Sequence, residues 1–113
     1  MDKLEHYRFL IQKILTNYHQ TFSSVSPHNV EMLLAFDEVR DQYLWLQVGW
    51  TPEERIKGNS VHIRLKNGKI YIEEDWTEEG IANELLREGV PKSDIVLAFQ
   101  EPNIRQFTEF AIA

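Results

Sequence analysis

The chain has 113 residues, 42% of them apolar and 27% charged, a balance that fits one globular domain spanning residues 1–113 and excludes a disordered segment. It has no cysteine, which excludes disulfides, thiolate metal sites and a cysteine nucleophile, and no apolar run nears the ~18 residues of a membrane span. The formal charge of −6 comes from one stretch: Glu73 to Asp94 holds eight acids and two bases, and the remainder holds ten of each. DNA binding needs several Lys or Arg on one face. No such cluster is visible, so direct nucleic-acid binding is not expected. Met1 to His6 is polar and carries acids, unlike a signal peptide, and a cytoplasmic protein is expected.

In chain order, Leu4, Tyr7, Ile11, Ile14, Leu15, Tyr18 and Phe22 recur at three- and four-residue steps, predicting an amphipathic helix over 3–22 with Asp2 as its N-cap. Ser23 to His28 breaks that pattern. The period then changes to two. Val30, Met32, Leu34 and Phe36 share one face of a strand, a turn follows over 38–41, and Leu44, Leu46, Val48 and Trp50 share one side of a second strand. Residues 51–55, with Pro52 and three charges, read as a loop.

Val61, Ile63 and Leu65 alternate with polar residues, Asn67-Gly68 turns the chain, and Ile70 and Ile72 alternate after it. Asn-Gly supplies the two positive φ angles of a type I′ hairpin turn. The resulting register sets Leu65 against Ile70, Ile63 against Ile72, Arg64 against Tyr71 and His62 against Glu73. A second helix is predicted to start near 75–77, either with Asp75 and Glu78 as a capping box or, the preferred reading, with Thr77 as cap and Trp76 stapled onto Ile81. Its end is marked by Gly89, Val90 and Pro91. Asp94 to Phe99 reads as a short buried strand, and Phe107, Phe110 and Ile112 predict a docked tail. The fold class is α+β: a helix, a four-strand antiparallel meander, a second helix and a final short strand, with both helices on one sheet face.

Chemistry is sparse. His62 and Glu73 form the nearest thing to an acid–base pair, and the predicted adjacency would raise the histidine pKa. The plainer reading is a solvated cross-strand ion pair worth ~0.2–1 kcal/mol. His6, His19, His28 and His62 lack metal-ligand spacing, and Glu73-Glu74-Asp75 lacks the glycine-containing loop of a calcium site. No P-loop, G-x-G-x-x-G or nucleophile elbow is present, so no cofactor is expected. Tyr43 and Trp45 fall opposite Leu44, Leu46 and Val48, an arrangement that suits either an apolar partner patch or, if the sheet is covered on both faces, simple core. The acids Glu73, Glu74, Asp75, Glu78, Glu79 and Glu84 suit a basic partner surface.

Arg40-Asp41-Gln42-Tyr43 leading to Val48-Gly49-Trp50, then Asp75 to Leu85, Gly89 to Leu97, Glu101-Pro102 and Arg105 to Ala111, together resemble the XisI-like family, the fdxN-element excision controlling factors of cyanobacteria. The opening Met1 to Arg8 also fits, so the resemblance covers nearly the whole chain. Trp76 stands where the family tends to have a smaller residue, and Gln100 where histidine is frequent. The resemblance implies a role in site-specific DNA excision during heterocyst differentiation, beside a recombinase and a nuclease-like companion, XisH, and implies no catalytic residues. Combined with the acidic charge, it favours a non-enzymatic controlling factor that works by protein contact. The alternatives are an antitoxin-like inhibitor of a nuclease, a small acid–base or metal-dependent enzyme using His62, Glu73 and Asp75, and direct DNA recognition. A homo-oligomer is compatible with all of these.

Overall fold

The structure is a computed structural model that describes residues 2–23 and 29–113. Of the predicted break over 23–28, only Ser23 falls within the described residues. Helix α1 spans Lys3–Phe22, and the Asp2 carboxylate accepts the Glu5 N–H at 2.8 Å, satisfying one orphan donor of the first turn. Strands β1 (Val30–Asp37), β2 (Gln42–Trp50), β3 (Arg55–Lys66) and β4 (Lys69–Asp75) form the antiparallel meander. Helix α2 (Ile81–Arg87) then crosses to β5 (Ile95–Leu97), which lies parallel to β4 and completes a five-strand sheet in the order β1-β2-β3-β4-β5. A parallel neighbour needs such a crossover.

Both helices bury their apolar stripes on one face of the sheet. Tyr7, Leu10, Ile11, Ile14 and Leu15 of α1 meet Tyr43, Trp45, Val61, Ile63, Ile70 and Ile72 in one core with Ile81 and Leu85 of α2. Each such side chain contributes about 1.5–3 kcal/mol of apolar burial. The C-terminus of α2 follows the predicted motif: Gly89 sits at φ 92, its N–H reaches Leu86 O, and the Val90 N–H reaches Leu85 O. Asn67 (φ 54) and Gly68 (φ 76) make the predicted hairpin turn.

The structure corrects the face assignment in β2. Tyr43 and Trp45 point toward the helices and are 0% and 5% exposed, whereas Leu44, Leu46 and Val48 are half-buried on the far face. Tyr43 is therefore core, and Trp45 is packed beneath α1 with only a small part of its surface exposed. The hairpin register holds from Lys66–Lys69 to Ile63–Ile72 and then shifts, so that His62 faces Glu74 and not Glu73. A second bulge between β2 and β3 leaves Trp45 opposite Val61 and Leu46 opposite Asn59. In the tail, Phe110 packs on the core and Ala111 bridges Val96, but Phe107 is 82% exposed.

One carboxylate clamps α1 to the β1–β2 turn. Asp37 accepts the Val39 and Arg40 N–H groups, which brings Asp41 to φ 54. Asp41 then accepts from Arg8 Nε at 2.7 Å, Arg8 Nη2 at 3.1 Å and the buried Tyr43 hydroxyl at 2.9 Å. The Arg8 hydrogen bond holds the Asp41 pKa below the ordinary carboxylate range despite partial burial. The stability this confers is complete above the unfolded pKa near 4 and is lost as pH falls through the lower folded value. Asp41→Ala leaves the Tyr43 hydroxyl without its acceptor and should cost about 1–3 kcal/mol in urea unfolding at neutral pH. Melting curves should show the wild type and Asp41→Asn converging below about pH 4.

Candidate functional site

The residues of the acidic segment have three different fates. Glu73 and Glu74 belong to the irregular end of β4. Glu73 is drawn to Arg64 at 3.4 Å, on the sheet face away from the helices, and Glu74 accepts the Trp76 indole N–H at 2.8 Å. Asp75 is structural. Its Oδ1 accepts from the Thr77 N–H (2.9 Å) and hydroxyl (2.6 Å), and its Oδ2 accepts the Ile81 N–H at 2.7 Å. The Thr77 hydroxyl oxygen accepts the Gly80 N–H at 3.2 Å. The first turn of α2 is thus capped from six residues upstream. The helix starts at Ile81, later than predicted, and Trp76 is 76% exposed and does not staple onto Ile81.

Glu78, Glu79, Glu84 and Glu88 share one place. They line a groove of about 620 Å³ between α1 and the 76–80 loop, with Ile14, Tyr18, Phe22, Trp45 and Trp76 as its apolar walls. The Tyr18, Phe22 and Trp45 rings form one cluster: Tyr18 stacks on Phe22 at 5.8 Å, and Trp45 lies 6.0 Å from Tyr18 and 6.5 Å from Phe22. The Trp45 indole N–H reaches His19 Nδ1 at 3.3 Å, so this buried ring has no unpaired donor. Among the described residues the lining contains four carboxylates and no Lys or Arg.

Two bases outside the lining offset part of this charge. Arg87 holds Glu79 at 2.7 Å and Glu84 at 2.9 Å, and Lys13 holds Glu88 at 2.9 Å. Glu78 has no ion-pair partner among the described residues. Burial and the Glu84 charge raise the Tyr18 pKa, and burial with a hydrogen bond to Glu79 raises that of Glu84. The Arg87 hydrogen bond lowers that of Glu79. A negative, ring-lined groove favours a cation over its rings and carboxylates.

The acid–base pairing of His62 with Glu73 does not form. His62 Nε2 hydrogen-bonds Gln42 Oε1 at 2.8 Å, and burial lowers the His62 pKa, the reverse of the expected direction. His62, Glu73 and Asp75 each serve a different partner, so the enzyme trio is not one site. Among the described residues no three His, Asp or Glu side chains converge as a metal would need, and no helix is long and apolar enough to cross a membrane.

The family described as "XisI protein" matches residues 1–112. The chain belongs to the XisI family. Two solved structures from Anabaena variabilis share its fold across their lengths. An XisI-like protein solved at 1.30 Å superposes with a TM-score of 0.91 at 40% identity, covering 97% of this chain and 99% of that one. The fdxN element excision controlling factor XisI, solved at 2.19 Å, gives 0.89 at 46% identity, covering 99% and 100%. No curated protein matches the sequence.

Within this XisI fold the groove depends on the Asp75 cap. Asp75→Ala removes the acceptor for three donors and should lower stability by about 1–3 kcal/mol. Amide exchange should accelerate at Thr77 and Ile81 while the Leu85 and Leu86 amides keep their protection. Uniform loss of protection across α2 would instead mean that the cap holds the helix and not the rim.

Proposed function

We propose that this protein is a controlling factor for excision of a DNA element that acts without chemistry of its own, by seating a cationic segment of a partner protein in the acidic aromatic groove. The role in excision rests on membership of the XisI family and on the likeness to a structure named as an fdxN element excision controlling factor. The groove carries the mode of action: four carboxylates around accessible Trp76 and Phe22 rings suit Arg or Lys side chains with their apolar stems. Glu78, Glu79 and Glu84 steer and orient the segment, while the rings supply apolar contact. Glu73, Glu74 and Asp75 have duties inside the fold and contribute only background potential.

The partner class that fits is a protein carrying exposed basic side chains, as the DNA-handling proteins of an excision apparatus do; the nuclease-like XisH companion is the first choice and the recombinase the second. Binding of purified companion should weaken steeply with salt, since Glu78 and Glu79 are exposed. The triple variant Glu78→Lys, Glu79→Lys, Glu84→Lys should weaken it roughly tenfold or more at low salt, at about 0.2–1 kcal/mol for each exposed pair lost and more for each repulsion gained. Trp76→Ala should weaken it at every salt concentration. Isothermal titration calorimetry showing unchanged affinity for the triple variant overturns the groove as the contact.

A further inference from the structure

The sheet face away from the helices carries a second pattern. Across β1, β2 and β3 the paired residues run acidic, apolar, basic: Glu31 pairs with Val48, and Val48 with Lys57. One step along, Leu33 pairs with Leu46, and Leu46 with Asn59. Arg55, Lys57, His62, Arg64 and Lys66 all fall on this face of β3, so the strand carries a basic stripe that the sequence pattern did not reveal. Leu33 and Trp50 are 39% and 58% exposed, Leu44, Leu46 and Val48 are half-buried, and Arg55 stacks 5.5 Å from the Trp50 ring. Among the described residues no helix packs on this face.

We propose that this face is a two-fold self-association surface whose occupant is a second copy of the chain. A two-fold axis lying between two facing sheets and running along β2 keeps strand direction and exchanges β1 with β3. Glu31 then lies across from Lys57 of the second copy, and the reciprocal pair forms on the other side. Leu46 and Val48 meet their own counterparts on the axis. An axis perpendicular to the strands would set acid on acid, so charge selects the first arrangement. Aligned sheets pack about 10 Å apart with strands turned by about 30°, which displaces a neighbour of the axis strand by only about 2–3 Å. Glu31 and Lys57 have no ion-pair partner among the described residues, whereas Asp37 is held by Arg40 and Arg64 by Glu73. The eight β1–β2 pairs and nine β2–β3 pairs span a face of about 400 Å² per copy, half of a standard interface, which fits a weak dimer.

Sedimentation equilibrium of the full chain across about 1–500 µM tests this. A monomer–dimer equilibrium is expected, and Val48→Glu should leave only monomer with the melting temperature preserved. Glu31→Lys and Lys57→Glu should each raise the dissociation constant about tenfold, and the double variant, which restores both pairs with reversed sign, should return it to within about twofold of wild type. Monomer at every concentration overturns the proposal. So does a dimer indifferent to these substitutions, a double variant no better than the singles, or a single-stranded oligonucleotide that binds through Lys57 in place of self-association. The basic partner of the groove takes no part in the measurement, so its outcome is independent of that reading.

Discussion

One carboxylate fixes where the acidic charge of this protein can act. Asp75 ends β4, pairs across to Val61, and spends both oxygens on Thr77 and Ile81. By doing so it folds the 76–80 loop back over the groove and starts α2 in a position where Glu84 and Glu88 look toward α1. Without that cap the first turn of α2 has no side-chain acceptor of its own, since Gly80 at the N-cap offers none. The charged rim and the first turn of the helix therefore share a single origin.

Net charge alone overstates what the segment offers a partner. Seven of its eight acids have an internal partner: Glu73 has Arg64, Glu79 and Glu84 share Arg87, Glu88 has Lys13, Glu74 has the Trp76 indole, Asp75 has Thr77 and Ile81, and Asp94 has Lys3. Exposed pairs of this kind are individually weak. Their larger effect is geometric, because Arg87 gathers two carboxylates that would otherwise repel along one side of α2. What remains is a field confined to the groove, short in range at physiological ionic strength and paired with aromatic surface. Such a site discriminates by shape and charge together.

Much of the fold was legible because local rules agreed with one another. The apolar stripe of α1 marks one buried helix face, the Asn67-Gly68 turn supplies two positive φ angles, and the Gly89-Val90 helix end satisfies the last carbonyls of α2. The face of β2 was not legible, because Tyr43 and Trp45 alternate with Leu44, Leu46 and Val48 and both sets are apolar; period two then states that two faces exist but not which one α1 covers. Bulges in β3 and β4 leave no local signature, and one of them moved Glu73 away from His62. The six-residue reach from Asp75 to Ile81 lies outside the usual cap spacing. The groove was half visible: the acids stood out as a cluster, while the rings that complete it came from α1 and β2, far away in sequence.

The two faces of the sheet divide the work between different physics. On the helix side the rings fill the core and wall the groove, and the charged side chains lining that groove are all carboxylates. On the other side charge of both signs is ordered by strand, acid on β1 and base on β3, with aliphatic residues between them. A surface of one sign repels its own copy and attracts an opposite partner; a surface ordered in this way can do the reverse, provided a two-fold axis runs along the middle strand. Because the groove and the ordered face lie on opposite sides of one sheet, closing the second leaves the first open. A two-fold pair would then present two acidic grooves facing outward, and a partner with repeated basic segments would gain by effective concentration, with no new contact required.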